Sequence, residues 1–84
     1  NYNQIADSTD GGGIMQSLTE VKAGNECTIK WMFGSPQALD IMNQHDIREG
    51  STIHVFLQGR DSMIIGKDSV RLAIGNEIAE RIKV

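Results

Sequence analysis

From residue 26 onward, apolar and polar side chains alternate with a period of two. Cys27, Ile29, Trp31 and Phe33 alternate with Glu26, Thr28, Lys30 and Met32, the pattern of a strand with one face against a core. Ile53, Val55 and Leu57 alternate with Thr52, His54 and Phe56 in the same way. Met63, Ile64 and Ile65 predict a short third strand, Val70, Leu72 and Ile74 a fourth, and Ile82 and Val84 a last one. Turn residues sit between these runs: Gly24, Glu49-Gly50, Gly59-Arg60-Asp61 and Gly66-Lys67-Asp68-Ser69. The last of these predicts a tight hairpin, because Gly and Asp accept positive φ at little cost. Strands this short and closely spaced predict a small antiparallel barrel, since closure removes exposed edges. In this phase Trp31 is a core residue, and Trp31→Ala is expected to unfold the domain.

Two segments break the alternation. Ser35-Pro36 predicts a helix start, with serine as N-cap and proline at the first helical position. Ala38, Leu39, Ile41 and Met42 follow, and the helix is expected to end near Gln44 and His45, with Asp46 turning the chain. Near the C-terminus Asn76 is expected to cap a single turn carrying Glu77, Ile78, Ala79 and Glu80, where an early glutamate suits the helix dipole. The fold class is therefore mainly β: a small antiparallel barrel of about five strands with two short helical insertions.

Residues 1–14 differ in kind, with Asp7, Ser8, Thr9, Asp10 and three successive glycines. A glycine run loses much entropy on ordering and has no side chain to bury. This segment reads as a flexible tail or an expression remnant, and residues 15–84, starting at Met15, as the single folded domain. The whole chain has 84 residues, 39% hydrophobic and 23% charged, too apolar for a disordered chain. Its net charge of -3 and pI near 5.2 argue against a broad basic nucleic-acid face. No apolar stretch approaches the ~20 residues that span a bilayer, and no secretory segment is visible.

The single cysteine, Cys27, excludes an internal disulfide framework and a multi-cysteine zinc site. Cys27, His45 and His54 are metal-ligand types, yet none has the short paired spacing of a structural site. Cys27 and His54 fall on opposite strand phases, so they do not form a nucleophile with its base. The stretch 7–11 lacks calcium-loop spacing, and no Gly-Lys-Ser/Thr follows the glycines. No catalytic, cofactor or metal site is expected, and the isolated chain is not expected to bind iron tightly.

The order of residues nevertheless has a family pattern. Ser17-Leu18-Thr19-Glu20-Val21-Lys22-Ala23-Gly24 opens it, followed by a strand ending at Gly34 and the helix with Leu39 and Met42. Ile47-Arg48-Glu49-Gly50-Ser51-Thr52-Ile53, Val70-Arg71-Leu72-Ala73 and Ala79-Glu80-Arg81-Ile82-Lys83-Val84 complete the series. Over residues 17–84 the chain resembles the FeoA family, small accessory proteins of bacterial ferrous iron uptake. The resemblance implies an SH3-like barrel, a cytoplasmic location, and a non-catalytic role binding or modulating FeoB, the ferrous iron permease with a cytosolic G-protein domain. It also implies a family-level link to transition metal ions, beside a chain with no ligand cluster. Two positions depart from the family: Asp46 stands where a glycine is common, and Glu49 where a proline is common.

The alternative is a detached regulatory domain like the SH3-like domain at the C-terminus of iron-dependent repressors; Met15 as a start favours the stand-alone protein. A proline-peptide groove of the eukaryotic SH3 type needs several exposed aromatics, and Trp31 and Phe33 are expected in the core. The expected docking face is the first helix, through Leu39, Ile41, Met42 and His45, because its apolar residues span too wide an arc to all face inward. On that reading Leu39 is the core anchor, and Met42→Glu keeps the fold while weakening binding to the permease.

Overall fold

The run of alternating residues from 26 to 33 does not form one strand; it is divided between two sheets. The structure, a computed structural model, describes residues 16–84, and the tail read at 1–14 and the start at Met15 lie outside the described residues. The chain order is a 3₁₀ turn (Leu18–Glu20), β1 (Glu26–Thr28), β2 (Trp31–Met32), α1 (Pro36–Gln44), β3 (Thr52–Gln58), β4 (Ser62–Lys67), β5 (Val70–Gly75), α2 (Asn76–Ala79) and β6 (Ile82–Lys83). Four strands form an antiparallel sheet in the order β1-β3-β4-β5, and β2 pairs with β6 in a two-stranded ribbon. Ser17 bridges to Lys83 on the other side of β6. The mainly β barrel expected from the pattern is thus present, with six strands among the described residues.

The division falls at Ile29 and Lys30. The Ile29 N–H donates to the Ser51 carbonyl at 2.8 Å, and the Lys30 N–H donates to the Lys83 carbonyl at 2.8 Å. As the backbone changes partner, the side chains change phase. Ile29 is buried, Met32 packs against the core, and Trp31 and Phe33 are 51% and 49% exposed. The expectation that Trp31 and Phe33 are core residues is therefore wrong. The core is aliphatic, built on Leu18, Ile29, Met42, Ile47, Ile53, Val55, Met63, Ile65 and Ile82. A second phase error lies in β3. The register between β3 and β4 shifts between Val55 and Leu57, a bulge that turns Leu57 outward although it alternates with Ile53 and Val55.

The helical segments follow their local signals closely. Ser35 Oγ accepts from the Ala38 N–H at 3.2 Å and Pro36 opens α1. His45 caps the other end, its Nδ1–H donating to the Ile41 carbonyl at 2.8 Å. Asp46 then turns the chain with φ 59°, a conformation aspartate tolerates better than bulky residues. Around α2, Gly75 holds the cap position expected for Asn76, whose Nδ2–H donates instead to the Arg60 carbonyl at 2.7 Å. The hairpin between β4 and β5 is as expected, with Asp68 at φ 56°.

The opening turn is held by a reciprocal cap. Ser17 Oγ accepts from the Thr19 N–H at 3.4 Å, and Glu20 Oε2 accepts from the Ser17 N–H at 3.2 Å. It docks Leu18, fully buried, into the core.

Candidate functional site

Three features of the described surface are candidate sites. The first is a groove of about 340 Å³ between β2 and α1, lined by Met32, Leu39, Asn43, Ile47, Arg48 and Glu49. Leu39 and Asn43 lie four residues apart, so one helix face presents both. Met32, Leu39 and Ile47 make an apolar floor under a polar rim of Asn43, Arg48 and Glu49. Glu49 Oε2 accepts from the Met32 N–H at 3.2 Å, which ties the rim to β2.

The corner behind the groove is fixed by charge. Asp46 pairs with Arg48 at 2.8 Å and with Lys67 at 2.9 Å, and the Lys67 ammonium also donates to the Asp46 carbonyl at 3.0 Å. The Lys67 hydrogen bond and charge, with Arg48 beside them, hold the Asp46 carboxyl below its usual range. Buried Ser51 adds the Arg48 N–H as a donor to its Oγ at 3.1 Å. This corner anchors the end of α1 to β4, so the groove wall does not depend on the helix alone.

Of the four residues expected to dock a partner, the structure places only Leu39 in the groove, half-buried; the expectation that Leu39 is the core anchor of the helix is wrong, since Met42 holds that place. Ile41 is 47% exposed but lies on the other side of the helix from Leu39 and Asn43. Met42 is buried with 1% exposure, which corrects the expectation that it is available at the surface. An apolar residue one position from Ile41 turns inward because successive helical positions differ by about 100°. His45 is half-buried and occupied in closing the helix.

The second surface is the outer face of the ribbon. Trp31 and Phe33 stack there with ring centroids 5.9 Å apart. Sequence reasoning missed this pair by carrying one phase through residues 27–33. The sequence signal lay in β6, where Arg81 and Lys83 flank Ile82 and fix which residue points inward.

The third surface is the outer face of the main sheet. His54 stands 3.3 Å from Glu26 and 6.0 Å from the Phe56 ring, and the Arg71 guanidinium lies 3.7 Å above that ring. Phe56 covers Gly66. A Cβ at Gly66 would meet Phe56 Cε2 at 2.5 Å and the Val70 carbonyl oxygen at 2.6 Å, so only glycine permits this close approach. Cys27 pairs with Ile53 in register while Glu26 pairs with His54, so Cys27 and His54 do face opposite ways, as expected. Burial, reinforced by the neighbouring Glu26 charge, pushes the Cys27 thiol up to about 11. Among the described residues no group of three or more His, Cys, Asp or Glu side chains could hold a metal ion. No helix among them is long and apolar enough to cross a membrane.

The FeoA domain family matches residues 16–84. This chain belongs to the FeoA family. Its fold is similar to the crystal structure of an iron uptake regulatory protein (FeoA), at 26% identity and a TM-score of 0.73, covering 84% of this chain and 96% of that one. It is also similar to a manganese-dependent transcriptional repressor, at 20% identity and a TM-score of 0.74, covering 83% of this chain and 40% of the repressor. That second likeness is one of fold, and the chain spans less than half of the repressor's length. No curated protein matches the chain. The two departures from the FeoA pattern have structural accounts. Asp46 takes the left-handed conformation a glycine would take. Glu49 uses its side chain on Met32, while Gly50 keeps its turn at φ 93° with its N–H donating to the Ile29 carbonyl at 2.8 Å.

Proposed function

We propose that this FeoA-family chain is a non-catalytic accessory protein of ferrous iron uptake. On this reading it binds or modulates an FeoB-type permease through the permease's cytosolic part, and acts on the cytoplasmic side. Family membership over residues 16–84 supports the iron-uptake role, as does the similarity to an iron uptake regulatory protein. The observation that carries the docking reading is the groove between β2 and α1, with its apolar floor and charged rim. Concave apolar sites with a few placed polar groups are where a partner's side chain gains most from desolvation. Leu39 is the groove's contact residue, and Ile41 is exposed on a separate flank of the same helix, with half-buried His45 one turn on.

The test is an NMR titration of the labelled chain with the permease's cytosolic part. Shifts are expected to cluster on Leu39, Asn43, Arg48 and Glu49. Asn43→Arg fills the groove from an exposed helix position and is expected to weaken binding at least about tenfold, the scale of one well-packed contact. Shifts confined to Ile41 and His45 would move the docking face to the opposite side of the helix. An unperturbed spectrum at saturating partner would remove the permease reading.

A further inference from the structure

The ribbon of β2 and β6 has two faces of opposite character. Met32 and Ile82 are register partners and point to the core. Trp31 is the register partner of Lys83, and the Phe33 N–H donates to the Arg81 carbonyl at 2.9 Å, which sets Phe33 beside Arg81. Directly opposed residues of an antiparallel pair share a face. The outer face therefore carries two aromatic rings on one strand and two cations on the other.

No carboxylate among the described residues neutralises these cations. Among the described residues the ion pairs involve Arg48, His54 and Lys67, and Arg71 covers Phe56. Arg81 is exposed, and Lys83 donates to the Glu80 carbonyl at 3.0 Å, a backbone contact that involves no carboxylate among the described residues. Lys30 adjoins the same ribbon without an ion pair. Beside them, Trp31 and Phe33 remain about half exposed.

We infer that this face is a peripheral contact for an anionic lipid surface. Arg81 and Lys83 meet headgroup phosphates, and Trp31 and Phe33 enter the headgroup layer beside them. An amphipathic indole and an apolar phenyl ring flanked by Lys and Arg match the chemistry of that layer, which is polar, negative and tolerant of aromatic edges. The rings stand on an outer strand face and not in the groove, so the surface suits a broad contact better than an inserted side chain. Residues 16–84 carry eight basic and nine acidic side chains, so away from Lys30, Arg81 and Lys83 the described surface is net negative: an anionic surface repels it and attracts this ribbon. The groove opens on the Met32 side of β2, so lipid contact and permease docking use different faces and are separable.

The chain has one tryptophan, and it lies in the proposed contact. Its fluorescence is read against vesicles of phosphatidylcholine containing about one-third phosphatidylglycerol, and against pure phosphatidylcholine. A saturable blue shift is expected with the anionic vesicles only, disappearing at about 0.5 M salt, where exposed charges are screened. Each cation near such a surface is worth roughly fivefold in affinity, so Arg81→Gln with Lys83→Gln is expected to weaken binding about 25-fold at an unchanged melting temperature. Asn43→Arg, the groove variant, is expected to bind vesicles like the wild type. No shift with anionic vesicles overturns the inference, as does an equal shift with neutral ones. A shift with a poly-glutamate peptide but not with vesicles assigns the face to an acidic protein partner and overturns it too. Failure here leaves the permease titration untouched.

Discussion

Ile41 and Met42 are adjacent on α1 and similar in size, yet the fold treats them oppositely. Ile41 is 47% exposed and Met42 1%. Truncating Met42 to alanine empties space in a closely packed aliphatic core, and such changes cost about 2–5 kcal/mol, from lost transfer energy plus the cavity left behind. The described fold has about 70 residues; at roughly 0.05–0.15 kcal/mol per residue its total stability is about 3.5–10 kcal/mol. Met42→Ala therefore removes between a fifth and all of it. For a domain of this size each kcal/mol moves the melting temperature by roughly 4–8 °C, so a fall of about 8–40 °C is expected. Ile41→Ala loses a half-wetted side chain, leaves no cavity, and gains helix propensity of a few tenths of a kcal/mol. Its melting temperature is expected within about 5 °C of the wild type. Met42→Leu, which nearly conserves volume, is expected to cost under about 1.5 kcal/mol. Thermal and urea unfolding of the three variants, followed by circular dichroism, give the ranking. Equal losses at positions 41 and 42, or a stable Met42→Ala, would refute the placement of Met42 in the core. By the same placement Met42→Glu buries a charge and unfolds the chain, so weak partner binding by that variant would report on folding.

Trp31→Ala, which the alternation alone predicts to unfold the domain, is expected from the structure to keep it folded: about half of a ring that buries roughly 150–250 Å² when enclosed gives at most about 2–3 kcal/mol, visible as a lowered urea midpoint. Gly66→Ala forces a methyl into Phe56 and the Val70 carbonyl and is expected to cost about 1–3 kcal/mol by the same assay, with Phe56→Ala rescuing only part because the backbone clash remains. Cys27, with its thiol raised to about 11, is expected to alkylate at pH 8 roughly 100-fold more slowly than a free cysteine, with a rate that climbs until about pH 11. Because burial favours the neutral thiol, its contribution to stability is full below the ordinary value of 9.0 and is lost as pH rises through the folded value. Asp46, lowered by Lys67 and Arg48, works in the other direction: its contribution is present above the usual carboxylate range and disappears as pH falls through the folded value. Asp46→Asn, which keeps a residue tolerant of positive φ, should therefore differ from wild type at neutral pH and converge with it in acid unfolding.

Much of this fold was legible because local chemistry and tertiary context agree. Ser35, Pro36 and Asp46 mark both ends of α1 in the sequence as they do in the structure, and Asp68 marks the hairpin. The errors share one cause. Periodicity gives a strand's phase only while its pairing is unbroken, and two pairing changes leave no mark in the pattern: the exchange of partners at Ile29 and Lys30 and the bulge between Val55 and Leu57. The first reverses the phase of the residues after it, and the second leaves Phe56, Leu57 and Gln58 all exposed. The helix misled for a related reason, since an arc of apolar residues shows that one of them must be exposed without showing which. Contact with Ile47, Ile53 and the other core residues decides that in favour of burying Met42.

The exchange of partners at Ile29 and Lys30 also explains why the candidate surfaces cluster on β2. A strand that continued beside β3 would carry Trp31 and Phe33 inward and Met32 outward. The small core is already filled by Leu18, Met42, Ile82 and other aliphatic side chains, and adding two large rings would overpack it at a cost. By leaving the main sheet for β6, the chain turns the rings out and sends one flexible methionine in, so that Met32 both seals the core and floors the groove. A two-residue strand thus separates an apolar groove on one side from an aromatic and cationic face on the other. Substitutions at 31 and 33 act on the outer face and those at 39 and 43 on the groove, so the two sets are expected to be energetically independent. A double-mutant cycle between Phe33→Ala and Asn43→Arg on unfolding free energy tests this: additivity within about 0.5 kcal/mol is expected for sites without shared partners, and a larger coupling would mean that the two faces are one surface.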